Sequence, residues 1–339
     1  MSFLPSAQFI KEKSQVFIKA MGMGTADLIP GVSGGTIAFI TGIYERFIGA
    51  LSRIDHRAVQ HLFRGEIKKI IDRVDLWFLL TILAGIMTAV LMLARIIDHL
   101  LEAHPEFLWS FFFGLIFASI GMVSLRIGYW KHLLLLWMTA GGIIAWSVTQ
   151  TTIIQTPDTY PYIFGAGFIS ISAMILPGIS GSYILVILDK YDFFIAVMSS
   201  ISEAVQGSVA AIFTLDWARL QYAILNSRIE ELLVFYAGTL TGIISFAKIL
   251  NWLIRNYHDR AISLLIGFMA GSLFTVWPWR RTLETYTNRH GEEKPLVEQN
   301  VLPPFDNPDT WIAILIMIAG AVIVAGIHHI SKVKKESDE

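Results

Sequence analysis

The chain contains no cysteine. A disulfide framework, a thiolate metal site and a thiol nucleophile are therefore excluded, and with them several classes of enzyme. Charge is scarce as well: Asp, Glu, Lys and Arg supply only 16% of the 339 residues and nearly cancel, leaving a net charge of −1. No global basic field invites nucleic acid, and no nucleic-acid-binding motif is present. The N-terminal segment lacks the uncharged core and small-residue cleavage site of a secretory signal, because Lys11, Glu12, Lys13 and Gln15 interrupt its apolar residues. It is expected to be retained.

Apolar side chains are what the sequence has in excess, at 54% of residues, more than average water-soluble usage. Crossing a hydrocarbon core takes roughly 20 mostly apolar helical residues. Runs over 76–97, 107–125, 132–150, 232–250, 261–277 and 310–330 are candidates. The expected fold is an all-α polytopic membrane protein.

An internal echo organises these runs. Ala26-Asp-Leu-Ile-Pro-Gly-Val-Ser-Gly-Gly35 returns as Ala173-Met-Ile-Leu-Pro-Gly-Ile-Ser-Gly-Ser182. In the same register Ile37 matches Ile184, Tyr44 matches Tyr191, Glu45 answers Asp192, and Phe47-Ile48 matches Phe194-Ile195. After a longer loop in the second copy, Ala84-Gly85 matches Ala237-Gly238, Thr88 matches Thr241, and Ala94-Arg95-Ile96 matches Ala247-Lys248-Ile249. Gly114 then matches Gly267, while Met138, Ala140 and Gly141 match Met317, Ala319 and Gly320. Ordered matches of Pro, Gly, Ser, Tyr and basic residues point to a duplication, with repeats over 1–150 and 151–339 forming one integral membrane domain.

Within each repeat the Pro-Gly-x-Ser-Gly motif divides an apolar region into two pieces of roughly 12–15 residues, each too short to span alone. Proline removes a backbone donor and glycine admits backbone angles that other residues resist. Each broken segment is either a re-entrant hairpin or a kinked crossing helix. Short cytoplasmic loops carry an excess of Lys and Arg. With both segments re-entrant, 18 of the 26 basic residues fall on the cytoplasmic side, against 16 if both cross. Re-entrance gives three crossings per repeat, hence halves inverted relative to one another and both termini cytoplasmic. Residues 54–74 place Ile54, Val59, Leu62, Phe63, Ile67, Ile70, Ile71 and Val74 on one helical stripe opposite Arg57, Arg64, Lys68, Lys69 and Arg73. This pattern suits a helix in the membrane interface or one packed on other membrane segments. Residues 278–309 are expected to form a long outer loop.

Irregular backbone at membrane depth must line a cavity or be enclosed by protein. In transporters with inverted repeats, half-helix N-termini near the midplane face anionic substrate groups. The residues of this kind are Gly31, Ser33, Gly34 and Gly35 in the first motif and Gly178, Ser180, Gly181 and Ser182 in the second. Their small side chains equally suit close helix packing. Arg95 and Lys248, at equivalent positions, either pair with an anion or snorkel to the interface. Asp27, whose counterpart is Met174, either carries an asymmetric coupling task or caps a nearby group. Glu45 and Asp192, beside Tyr44 and Tyr191, are further coupling candidates whose expected role is interface anchoring. No metal site and no cofactor are expected. Gly-rich faces such as Ala140-Gly141-Gly142 suit packing within one chain or between copies in a homo-oligomer.

The paired Ala-Asp-Leu-Ile-Pro-Gly-Val-Ser-Gly-Gly and Ile-Leu-Pro-Gly-Ile-Ser-Gly-Ser motifs resemble those of the PopT family of bacterial membrane proteins, over nearly the whole chain. The resemblance implies translocation of undecaprenyl phosphate, a polyprenyl phosphate lipid, from the outer to the cytoplasmic leaflet of the bacterial cytoplasmic membrane. The lipid would be recycled for cell-wall peptidoglycan synthesis. Two rivals remain. A small-anion carrier or channel suits the same motifs. An intramembrane serine hydrolase is suggested by Gly31-Val-Ser-Gly34 and Gly178-Ile-Ser-Gly181, which resemble the G-x-S-G pattern of intramembrane serine proteases, but such a nucleophile needs a base in reach. The nine histidines all fall in loops or near expected helix ends.

Overall fold

A lone segment in hydrocarbon satisfies its own backbone only as a helix. The computed structural model of the protein is accordingly helical over most of the residues it describes, which are 7–29, 31–125, 127–151, 153–200, 204, 228–287 and 293–338. The first half contains α1 (Ala7–Asp27), α2 (Gly34–Ile40), α3 (Tyr44–Ser52), α4 (His56–Phe63), α5 (Ile67–Val74), α6 (Leu76–Ala103), α7 (Pro105–Ser124) and α8 (His132–Thr149). The second contains α9 (Tyr160–Ile175), α10 (Gly181–Ile187), α11 (Ile229–Asn256), α12 (His258–Ser272) and α13 (Pro308–Asp338), with further helix over 191–200. Among the described residues five helices, α6, α7, α8, α11 and the 308–326 part of α13, are long and apolar enough to cross a membrane. The sixth expected span, 261–277, stops short. It is the 15-residue α12, which ends at Ser272 ahead of Trp277-Pro278. Ala261, Ile262, Leu265, Ile266 and Met269 on α12 are fully enclosed, as befits a helix sheathed by other helices.

Both broken segments fold back on themselves. Helix α2 returns along α1, where Lys19 Nζ donates to the Thr41 carbonyl at 2.7 Å across 22 residues. Helix α10 returns along α9, where Ser170 Oγ donates to the Gly181 carbonyl at 2.7 Å. They are helical hairpins rather than kinked rods. Their arms are less equal than expected, 21 and 7 residues in the first and 16 and 7 in the second. The short arms end where Gly42 (φ 76°) and Asp189 (φ 55°) enter the left-handed region. These two residues occupy matching places in the echo, and Gly and Asp are types that tolerate such angles.

The packing follows the register of the echo. Helix α6 lies on α1 as α11 lies on α9, and α7 lies on α13 as α8 lies on α12. A Cβ added to Gly85 would strike the Phe17 carbonyl, and one added to Gly238 would strike the Phe164 carbonyl. At Gly114 it would strike the carbonyl of Met317, and at the matching Gly267 that of Met138. Gly141 approaches Leu264 and Phe268 as Gly320 approaches Phe111 and Leu115. Backbone-to-backbone approach of this kind is the main source of helix affinity where lipid removes the hydrophobic drive. Because α7 and α8 pack on α13 and α12, the halves share one interior.

Two connecting stretches differ from expectation. Residues 54–74 form two helices, not one continuous stripe, because the chain turns at Gly65 (φ 69°). Asp55 caps α4 through the amides of Arg57 and Ala58, both at 3.1 Å, and pairs with Arg73 at 2.6 Å, which clamps α5 against α4. Leu62, Phe63 and Ile67 remain exposed around the break. Within the expected loop 278–309, β1 (Arg280–Thr287) and β2 (Glu293–Asn300) form an antiparallel two-stranded ribbon.

Gly114→Ala and Gly267→Ala are each expected to lower stability by about 1–3 kcal/mol, because the new methyl group must displace a helix backbone. Gly121→Ala, where nothing lies within 4 Å, should be neutral or slightly stabilising. Thermal unfolding of the three variants in detergent checks this ordering.

Candidate functional site

Where α9 gives way to Leu176-Pro177, the last carbonyls of the helix lose their helical partners. In an apolar interior such groups must find donors. The first motif supplies them. Ser33 Oγ lies 3.1 Å from both the Met174 and the Leu176 carbonyl and donates to one at a time. Tyr44 Oη donates to the Ile175 carbonyl at 3.1 Å. In return Gly178 N donates to Thr36 Oγ1 at 2.9 Å. Residues more than 130 positions apart are thereby latched motif to motif.

Inside the first motif the free amides are consumed locally. Gly31 turns the chain at φ 83°, Ser33 is the N-cap of α2, and its Oγ accepts from Gly35 N at 3.1 Å. Gly34 N donates to Asp27 Oδ1 at 2.7 Å. Glycine is required here by contact. A Cβ on Gly34 would meet the Asp27 carboxylate, and one on Gly35 would lie 2.7 Å from the Ile175 carbonyl. Residues 31–39 are buried throughout.

The second motif repeats the backbone but not the bonding. Gly178 turns at φ 88°, matching Gly31. Ser180 holds the N-cap position of α10 without a side-chain cap bond, and its Oγ lies 2.9 Å from Ser182 Oγ instead. Met174 stands against Gly181 as Asp27 stands against Gly34, yet a thioether is a poor substitute for a carboxylate acceptor. Ser182 and Tyr183 are half-buried, whereas their counterparts Gly35 and Thr36 are enclosed. The second copy is the more open of the two, with its serine hydroxyls bonded to each other rather than to the opposing backbone.

The remaining candidates lie elsewhere. Arg95 and Lys248 are exposed on α6 and α11, each in no ion pair among the described residues, a placement that fits snorkelling. Glu45 is exposed 3.7 Å from His258 Nε2, and Asp192 is half-buried. Anchoring at an interface suits Tyr191, which is 42% exposed, but not Tyr44, which is 1% exposed and part of the latch. Pro30 lies outside the described residues. Sequence reasoning missed Thr36 and the carbonyls of 174–176. Pro177 was the available signal for those carbonyls, since it announces an unsatisfied helix end. Neither Ser33 nor Ser180 has a histidine or carboxylate hydrogen-bond partner among the described residues. The hydrolase reading, which needs a base in reach, gains nothing from this geometry.

The profile of a protein family described as VCA0040-like, undecaprenyl phosphate translocase-like, matches residues 23–294. The chain is 36% identical over 318 residues to a polyprenyl-phosphate transporter of Vibrio cholerae serotype O1 (strain ATCC 39315 / El Tor Inaba N16961), covering 92% of this chain and 94% of that one. It is 33% identical over 277 residues to a polyprenyl-phosphate transporter of Staphylococcus aureus (strain NCTC 8325 / PS 47), covering 77% and 85% respectively. No solved structure matches.

Asp27→Ala strips the acceptor from Gly34 N and is expected to cost about 1–3 kcal/mol of stability. Asp27→Asn keeps an acceptor oxygen and should lose less than half as much. Thermal unfolding in detergent, read beside the wild type, orders the three proteins.

Proposed function

The chain belongs to the VCA0040-like, undecaprenyl phosphate translocase-like family, and from that premise we propose that it moves undecaprenyl phosphate from the outer to the cytoplasmic leaflet of the bacterial cytoplasmic membrane. The returned lipid would serve again in peptidoglycan synthesis. The observation that carries this reading is the latch, in which the only two Pro-Gly-x-Ser-Gly breaks in the chain meet in its interior through Ser33, Thr36 and Tyr44. A phosphate entering hydrocarbon unaided forfeits its hydration at prohibitive cost. Polar groups gathered at such a meeting point replace that hydration while the prenyl tail stays in lipid.

In this reading the hairpins α1–α2 and α9–α10 are re-entrant, the halves 1–150 and 151–339 are inverted, and both termini are cytoplasmic. The excess of Lys and Arg on the cytoplasmic side supports this arrangement. The first hairpin then opens to the cytoplasm and the second to the outside. The latch is the part that must yield as exposure alternates. Ser180, Gly181 and Ser182, beside Gly178, turn their donors from each other to the phosphate. Gly31, Ser33, Gly34 and Gly35 complete the site from the cytoplasmic side as the latch releases. Asp27, which accepts from the Gly34 amide, is the coupling candidate, with Glu45 and Asp192 at the hairpin bases as further ones. The protein acts as a carrier, not as an enzyme.

Reconstitution in liposomes tests this. Wild-type protein should accelerate leaflet-to-leaflet movement of a polyprenyl phosphate and leave a neutral polyprenol unaffected. Ser180→Ala/Ser182→Ala should slow that movement by about tenfold or more, the effect of one or two hydrogen bonds to a charged group. Arg95→Ala, exposed on α6, separates an interfacial cation from a substrate-binding one by leaving the rate unchanged. Absence of acceleration by folded wild type, with or without a proton or sodium gradient, would turn the reading toward a soluble-anion carrier.

A further inference from the structure

We propose that Arg280, on the stretch that runs from beside Gly31 of the first motif to the ribbon, is the cation that receives the phosphate monoester; this rests on the phosphate-lipid reading above. Arg280 opens β1 directly after Trp277-Pro278-Trp279, and its side chain is 15% exposed. Three contacts hold the guanidinium. Its Nε donates to the Trp277 carbonyl at 2.8 Å, its Nη1 reaches Glu298 Oε2 at 3.0 Å, and the group sits 4.5 Å over the ring of Trp109 on α7. The remaining nitrogen, Nη2, is buried and has no hydrogen-bond partner among the described residues.

A guanidinium serving only to staple the ribbon has no reason to leave a buried fork tooth unmade, since an unmet buried donor is costly. Nor is Arg280 alone. Over residues 275–280 the hydroxyl of Thr275, the indole nitrogen of Trp279 and Nη2 of Arg280 are all buried without partners among the described residues. Trp279 is 6% exposed. The stretch also touches the first motif. The Thr275 methyl lies 2.5 Å from where a side chain on Gly31 would begin. Unsatisfied donors and a fixed planar cation present what a phosphate needs, its oxygens being acceptors for them. Other cations fit less well. Arg95 and Lys248 are exposed, and the enclosed Lys190 already binds the Thr156 carbonyl at 2.6 Å and Asp158 at 2.7 Å. Arg280 lies on the stretch that the topology above assigns to the outside, the leaflet from which the lipid enters.

Binding of a polyprenyl phosphate, a neutral polyprenol and inorganic phosphate to full-length protein in nanodiscs, for wild type, Arg280→Gln, Arg280→Lys and Glu298→Gln, tests the assignment. Arg280→Gln should weaken binding of the phosphate lipid by about tenfold or more, with Arg280→Lys intermediate. Glu298→Gln breaks the same ion pair but keeps the cation, so it should bind as tightly as wild type or tighter. Competition by millimolar inorganic phosphate, lost in Arg280→Gln, would assign the site to phosphate as such; its failure to compete, with the lipid effect intact, would assign it to the lipid headgroup. Equal loss in Arg280→Gln and Glu298→Gln would reduce Arg280 to a ribbon staple and overturn the proposal, as would wild-type binding by a folded Arg280→Gln. Wild type that binds inorganic phosphate through Arg280 but not the lipid would overturn the lipid-transport reading and leave Arg280 a phosphate site. Binding of neither would overturn both.

Discussion

A helix that stops inside an apolar interior leaves carbonyl oxygens with neither water nor a next turn to bond them. At Leu176-Pro177 the protein has such an end, and the carbonyls of Met174, Ile175 and Leu176 take Ser33 and Tyr44 from the other half as donors. Much follows from that need. The first motif must come within hydrogen-bond reach, so Gly35 has no room for a side chain. Tyr44 must be enclosed at the base of its hairpin, and Thr36 faces Gly178 N. Two lengths of broken backbone, each unstable alone at depth, satisfy one another. The bond lengths of about 3 Å and the neutral partners make this a latch of ordinary strength.

Around the latch the framework is rigid and doubled. Gly85, Gly114 and Gly141 bring helix backbones into contact, and Gly238, Gly267 and Gly320 do the same at matching places. Close packing of this kind transmits a displacement rather than absorbing it. Packing differs between the copies at the half-buried Ser182 and Tyr183 against the enclosed Gly35 and Thr36. The departures from symmetry, Met174 for Asp27 and Ser182 for Gly35, coincide with that difference.

The echo between the halves was legible in the sequence because its marks are side-chain identities, and Gly, Pro and Tyr keep their register whatever surrounds them. The hairpins were legible only as one of two alternatives. Lys19 and Thr41, which close the first, carry no spacing signal at 22 residues apart. Arm lengths were misjudged because the short arms end where Gly42 and Asp189 take left-handed backbone angles. Tyr44 and Tyr191 look alike in sequence, each followed by an acid, and only the position of the Ile175 carbonyl separates a buried donor from an exposed ring. The cations were ambiguous for a similar reason. Arg95 and Lys248 stood out by their equivalence, while Arg280 lay in a stretch whose Pro, Glu, Asn and Asp read as loop and whose ribbon depends on long-range pairing.

The central claim is that two equivalent hairpins enter from opposite faces and meet. With no native cysteine to interfere, Glu45→Cys and Asp192→Cys, at matching hairpin bases, are to be labelled in sealed, oriented vesicles with a membrane-impermeant maleimide. The account predicts that Asp192→Cys reacts only from the outside and Glu45→Cys only from the cytoplasmic side. Reaction of both from one face would contradict it.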